Sequence, residues 1–178
     1  MSEDTELVTE ESEMLIYHGS TVPVPRPEIR PGNRLLDFGI GFYTTTSYEQ
    51  AEDWARIKMR RETADAGFVS VYDYNIDAAR REMVVRSFET ADEEWLRFVV
   101  NNRRNIGIPD AADIHMGPVA DDNVYQTIRL FETEILSADE TVKRLKTEVL
   151  HDQIAFHTAR ARSCALSYCR FIESRSVN

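Results

Sequence analysis

A chain of 178 residues suits one hydrophobic core of ordinary size rather than two. It is 42% hydrophobic and 29% charged, and no run approaches the roughly 18 apolar residues of a membrane-spanning helix, so a core is expected and a transmembrane anchor is not. With 31 acidic against 21 basic side chains the net charge is −10, which disfavours non-specific attraction to nucleic acid or to an anionic membrane.

Much of the acidity is local. Met1 to Glu13 carries Glu3, Asp4, Glu6, Glu10, Glu11 and Glu13 with no Lys or Arg. A secretory signal begins basic and turns apolar, whereas this segment is acidic and Ser/Thr-rich. The reading is a flexible acidic tail over 1–13, a single domain over 14–178, and a cytoplasmic setting.

Met14-Leu15-Ile16-Tyr17 predicts a short strand that ends in a turn at His18-Gly19-Ser20. Four prolines between Pro23 and Gly32 predict a loop. Gly41 to Thr46 is aromatic and β-branched and predicts a strand. Ser47 with Gln50 then forms a capping box, opening a helix through Ala51, Trp54, Ala55, Ile57 and Lys58 to Arg60-Arg61-Glu62. Strands are predicted at Phe68–Tyr74 and Met83–Phe88, and a helix from a capping box at Thr90–Glu93 through Trp95, Leu96, Phe98 and Val99.

Asp113 to Ala120 reads as a strand broken by Gly117-Pro118, followed by Asp121-Asp122 capping a helix with Val124, Ile128 and Phe131. Ser137–Glu140 opens another helix. Gln153–Thr158 predicts a strand, Ala159–Ala165 is ambiguous, and Ser167–Ser174 predicts a closing strand. Clusters of strands separated by helices, without a regular βαβ rhythm, favour an α+β fold.

Familiar nucleotide motifs are missing. No Gly-x-Gly-x-x-Gly follows a strand and no Walker loop occurs. Asp37-Phe38-Gly39 matches a kinase tripeptide, but without the accompanying kinase segments the match is chance. His18, His115, His151 and His157 form no His-x-x-x-His pair, so no metal site is expected. Cys164 and Cys169 fit neither a disulfide framework nor a zinc knuckle and read as structural thiols.

Three local features can carry chemistry. They are Tyr17-His18-Gly19-Ser20, Gly39-Ile40-Gly41-Phe42-Tyr43-Thr44-Thr45, and Asp152-Gln153-Ile154. Glycines allow close backbone approach and aromatic rings supply flat surfaces, a combination suited to a planar heterocycle on a ribose. Each also has a packing reading, with His18 in a loop, Tyr43 in the core and Gln153 at the surface.

Taken together, Leu15-Ile-Tyr-His-Gly-Ser20, Leu36-Asp-Phe-Gly-Ile-Gly-Phe-Tyr-Thr-Thr45 with Gln50-Ala51 and Trp54-Ala55, Gly117-Pro-Val-Ala-Asp-Asp122, and Asp152-Gln-Ile-Ala-Phe-His-Thr158 resemble a bacterial family of formerly unknown function in the ADP-ribosyltransferase superfamily. The match runs from about residue 14 to the C-terminus. The resemblance implies a split β-sandwich flanked by helices, with NAD as co-substrate in a cleft. By the same resemblance His18 hydrogen-bonds a ribose hydroxyl, the Gly19 backbone holds the nicotinamide carboxamide, and Tyr43 stacks on the ring. Ser20 and Thr44 border that site, and Trp54 supplies a second aromatic wall or packs in the core.

The superfamily's third motif commonly carries Glu, and here the matching position is Gln153. An amide can hold a hydroxyl but cannot act as a general base. On sequence alone, Gln153→Glu raises activity if the site lacks only charge. Asp152 would face the other way on a strand, and Glu148 would end the preceding helix. Asp121 and Asp122 either orient an acceptor or cap their helix. Arg56, Lys58, Arg60 and Arg61 either meet a pyrophosphate or an anionic acceptor, or form a solvated face. The Pro-rich segment either covers the co-substrate or only connects.

The implied activity is NAD-dependent mono-ADP-ribosyl transfer to a protein or nucleic-acid acceptor, of a bacterial toxin or effector kind, with an antitoxin or regulatory partner and no membrane. The alternatives are a non-catalytic NAD- or partner-binding module of the same fold, and an NAD glycohydrolase.

Overall fold

The computed structural model describes residues 13–30, 36–104, 110–120, 122–146 and 150–174. In chain order its elements are β1 (Glu13–Ser20), β2 (Phe42–Thr44), α1 (Tyr48–Glu62), β3 (Gly67–Asn75), α2 (Ile76–Glu82), β4 (Val85–Ser87), α3 (Glu93–Arg103), β5 (Ile114–Pro118), α4 (Asp122–Glu132), α5 (Ala138–Leu145), β6 (Asp152–Phe156), α6 (Ala159–Ala165) and β7 (Leu166–Ser174). The strands form two sheets, ordered β1-β3-β7 and β2-β6-β5-β4. All pairings are antiparallel except β4 with β5, which are joined by a crossover through α3. The fold is α+β, as expected.

Period-two alternation decides what each face packs against. On β1, Ile16 and His18 share a face with their β3 partners Tyr72 and Ser70. That face turns toward the second sheet, where Phe42, Ile114, Ile154 and Phe156 join Ile16 and Tyr72 in one cluster between the sheets. Ile16, Ile114, Ile154 and Phe156 are fully buried there, each contributing about 1.5–3 kcal/mol of apolar transfer. The opposite face of β1 and β3 is covered by α1 through Ala51 and Ala55. The outer face of the second sheet, with Tyr43 and Ala155, packs on Trp95, Leu96, Val99, Val124, Ile128 and Leu145 of α3, α4 and α5.

Capping explains the helix starts. Ser137 and Glu140 form the reciprocal box expected of them. Ser47 does accept from the Gln50 amide, but Gln50 bonds Thr45 instead of reaching back, so that box is half-formed. The cap of α3 is Asp92, not Thr90, because Asp92 accepts from the Trp95 amide. The strand from Met14 does not turn at His18 but continues in register with β3 through Ser20. Gly117-Pro118 does not break its strand, for both residues pair with β6 at its open end.

α2 was not anticipated; it starts directly from the last strand residue, Asn75, whose side chain accepts from the Ala78 amide. The ambiguous 159–165 segment is helical and capped by Thr158. Cys164 and Cys169 are free and exposed rather than buried structural thiols. The tail lies outside the described residues apart from Glu13, which begins β1. No helix among the described residues is long and apolar enough to cross a membrane.

Candidate functional site

Among the described residues the ladders of the two sheets are joined by one backbone bridge, where the Tyr17 amide donates to the Thr45 carbonyl at 2.8 Å and the Thr45 amide to the Tyr17 carbonyl at 3.0 Å. Beyond it β1 follows β3 and β2 follows β6, so the sheets part. His18 stands at the parting. Its Nδ1–H donates to the Tyr43 carbonyl at 2.6 Å, and its ring lies 4.5 Å from that of Phe42. With the proton on Nδ1, Nε2 is an acceptor. Burial and then the Lys58 charge outweigh the hydrogen bond to the Tyr43 carbonyl and leave His18 neutral, its pKa pushed down to about 3.

Gly19 follows on the opposite face, pressed against α1. Its carbonyl accepts from Lys58 Nζ at 2.7 Å. Lys58 lies on the α1 face of Ala51 and Ala55, and burial lowers its pKa. The basic row therefore divides between its two readings: Lys58 turns inward to Gly19, while Arg56 pairs with Glu52 on the surface. Trp54 is half-buried, outside both core clusters. Helical spacing from Ala51 and to Lys58 puts it on the flank that meets β1.

Tyr43 is fixed through its hydroxyl, which donates to the Gly39 carbonyl at 2.7 Å and accepts from the Phe38 amide at 3.1 Å. Gly39 has φ 81°, a turn conformation that glycine adopts without strain. Burial and the nearby Asp37 raise the Tyr43 pKa, so the phenol stays protonated. What Tyr43 offers a ligand is its ring. Ser20 and Thr44 are buried, and their hydroxyls donate to the carbonyls of Val22 and Ile154.

Gln153, on β6 beside β2, is 3% exposed and so is not the surface residue of the packing alternative. It shares the Tyr43 face, two residues from Ala155, the register partner of Tyr43. Its Nε2 donates to Asp37 Oδ2 at 2.9 Å and to the Pro118 carbonyl at 3.1 Å. Asp37 also accepts from the Ala120 amide at 2.9 Å and from Arg103 Nε at 2.8 Å. Arg103 lies over the Tyr125 ring, and its buried Nη1 has no hydrogen-bond partner among the described residues. Asp152 faces the other way, as its strand position requires, and accepts from the Thr46 amide at 3.0 Å. Asp121, the Asp122 side chain and Glu148 lie outside the described residues.

The Pro-rich segment is anchored beside His18. The Val24 amide donates to Ser70 Oγ at 2.9 Å, and the Tyr72 hydroxyl donates to the Val24 carbonyl. Ser70 is the register partner of His18, so this segment overlies the β1–β3 ladder at the site.

The Asp37–Arg103 pair went unread in the sequence, as did a second network. His157 Nδ1–H donates to the Ile40 carbonyl at 2.7 Å, and its Nε2 lies 2.9 Å from His115 Nδ1. His115 Nε2 lies 3.2 Å from Asp110, which is paired with Arg86. Burial, then His157, outweigh Asp110 and push His115 down to about 4; burial also lowers His157. An open groove of about 390 Å³ between β4 and α3 borders this network, lined by Arg86, Glu94, Phe98, Asn102 and Asp110. Arg86 is paired there with Glu94 and Asp110, and Arg97, which also lines the groove, pairs with Glu93.

These histidines make an acid-sensitive fold. Their native pKa values lie below the ordinary 6.5, so between pH 6.5 and about 3, the value to which His18 is pushed, the unfolded chain binds protons that the native state refuses. Stability is complete above that window and falls as pH drops through it. Thermal unfolding from pH 7 to 4.5 should show a steadily falling Tm; a constant Tm over that span would refute the neutral buried histidines.

Chemically, the strands that border the parting carry a neutral imidazole acceptor on the inter-sheet face, a backbone carbonyl beside a lysine ammonium on the α1 side and, on the outer face of the second sheet, a fixed aromatic ring and a primary amide with both hydrogens committed. No group of three or more His, Cys, Asp or Glu able to hold a metal occurs among the described residues. Comparison with curated proteins finds no match. A family model described as "Protein of unknown function (DUF3990)" matches residues 14–168. With nearly the whole described domain covered and the site elements all inside the match, the chain belongs to the DUF3990 family.

Proposed function

We propose that the protein is an NAD-dependent mono-ADP-ribosyltransferase whose site lies where the sheets part. The observation that carries the reading is the junction of the three motif residues: His18 bonded to the Tyr43 backbone across the β1–β2 parting, with Gln153 on the neighbouring strand and on the Tyr43 face. The resemblance of the four motifs to the ADP-ribosyltransferase superfamily supports the same reading.

Transfer breaks the bond between ribose C1′ and the nicotinamide nitrogen, and the bonding pair leaves with the ring. Positive charge develops on the ribose, and the acceptor's nucleophilic atom forms the new bond at C1′ while losing its proton. The protein's task is to hold the sugar, fix the departing ring and limit water. His18 Nε2 and Gln153 Oε1 are acceptors for ribose hydroxyls. The Tyr43 ring suits stacking on nicotinamide. Lys58 supplies positive charge that suits the pyrophosphate, and a ligand amide seeking the Gly19 carbonyl must share it with Lys58.

The test is incubation of the purified chain with NAD labelled in its adenylate part, following free nicotinamide and the fate of the label, with His18→Ala beside the wild type. Nicotinamide release with label on a macromolecule is expected, slowed about 100-fold by His18→Ala. Release with only free ADP-ribose would replace the transferase by a glycohydrolase. NAD binding without release in the presence of cell extract would replace it by a binding module. Neither binding nor release would refute the site.

A further inference from the structure

We propose that Asp37 is a positioning residue that sets the rotation of the Gln153 amide, so that the side chain presents its carbonyl oxygen to the substrate. This rests on the reading above, in which Gln153 meets a ribose hydroxyl.

The argument is a count of donors and acceptors. A primary amide has two N–H donors and one carbonyl acceptor. Both partners of Gln153 Nε2, Asp37 Oδ2 at 2.9 Å and the Pro118 carbonyl at 3.1 Å, are acceptors. Rotating the amide by half a turn would set its oxygen against a carboxylate and a carbonyl, two repulsive contacts in a buried place. Both amide hydrogens are therefore committed inward, and Oε1 is what Gln153 has to offer. A ribose hydroxyl donates to that oxygen as it would to a carboxylate.

Asp37 is itself held from several sides. Arg103 bonds Oδ1, with Nε at 2.8 Å and Nη2 at 2.6 Å, and the Ala120 amide bonds Oδ2 at 2.9 Å. Its own carbonyl accepts from Asn102 Nδ2 at 3.1 Å. The same turn carries the Phe38 amide and Gly39 carbonyl that fix the Tyr43 hydroxyl. One short segment thus orients two of the three motif side chains.

A consequence reverses the expectation from sequence. Gln153→Glu would set a second carboxylate against Asp37 and the Pro118 carbonyl, so activity falls instead of rising. Asp37→Asn in that background replaces one of the opposed carboxylates with an amide donor and should regain at least about 10-fold over Gln153→Glu alone.

Two readouts on the full chain decide the matter. In the ¹⁵N-labelled protein, the Gln153 side-chain amide, assigned by its loss in Gln153→Met, should exchange with solvent about 100-fold more slowly than an exposed Gln. In kinetics, Asp37→Asn should lower kcat for nicotinamide release about 100-fold while KM for NAD stays within about three-fold. A purely structural Asp37 would instead lower Tm and leave kcat per folded molecule unchanged.

A Gln153 amide that exchanges as an exposed one, or an active wild type whose kcat survives Asp37→Asn, overturns the positioning role and leaves the proposed function standing. A wild type that neither binds NAD nor releases nicotinamide overturns the proposed function and the positioning role with it, even if the amide is locked.

Discussion

Gly19→Ala is expected to be the most damaging small substitution in the chain. An added Cβ would stand 1.9 Å from the Ala51 carbonyl oxygen and 2.7 Å from the Ala55 nitrogen. Non-bonded heavy atoms pack at roughly 3.5–4.0 Å, so α1 must retreat from β1 by more than an ångström, roughly, to admit one methyl group. The opposing atoms are helix backbone, which no rotamer change can move. Overpacking commonly costs about 1–3 kcal/mol, and a backbone clash belongs at or above the top of that range. At about 2–4 °C per kcal/mol for a domain of this size, Tm should fall by ~10 °C, or the chain should fail to fold. Circular dichroism melting checks this, and a Tm within about 2 °C of wild type would show that β1 and α1 are not held so closely. Because the Gly19 carbonyl is also the Lys58 acceptor, a surviving variant should lose NAD affinity as well.

The second large effect is expected from Arg103→Met. Methionine keeps the apolar stem and removes the charge, leaving the Asp37 carboxylate, 5% exposed, without its cation. The side chains of the pair are 16% and 6% exposed, so solvent screens little of the loss. Removing one partner of a buried ion pair typically costs about 3–5 kcal/mol, because the other charge remains buried. Adding Asp37→Leu should recover part of that cost, since replacing both members removes the uncompensated charge. The stabilities of the two single variants and the double variant, from urea denaturation, give the coupling directly. Full additivity would mean that the two charges do not depend on one another.

How much of this was legible in sequence follows from the distance over which each signal acts. Helices such as Ala138–Leu145 were readable because both halves of the capping box lie within four residues. Ile76–Glu82 escaped because it is short and takes its cap from Asn75, a residue that also ends a strand. His18, Tyr43 and Gln153 were found through motifs, each a local string. The Asp37–Arg103 pair spans 66 positions and no local pattern announces it. Asp37 lies inside the Leu36–Thr45 motif, but its partner lies on α3, so nothing in that string marks its carboxylate as buried and paired.

Fainter signals were present. Arg103 falls at helical spacing from Leu96, Val99 and Val100, all buried, so a guanidinium at the end of an apolar face already implied a buried anionic partner. Lys58 similarly continues the face of Ala51 and Ala55, both fully buried. Helical periodicity thus marks which charged residues turn inward, while their partners require the fold.

Among the described residues one backbone bridge, Tyr17 with Thr45, joins the two ladders, and it makes that edge of the boundary between the sheets a point where opening can begin. Each sheet keeps its own ladder, so breaking two backbone hydrogen bonds there leaves the pairing within both halves intact. In native-state hydrogen exchange, the Tyr17 and Thr45 amides should therefore report a sub-global opening, at lower free energy than the β3 amides that pair on both sides. The shared cluster of Ile16, Tyr72, Phe42, Ile154 and Phe156 keeps the sheets together through that opening, so the bridge frays at the place where NAD is proposed to bind, and a ligand spanning that place would slow the exchange of both amides together.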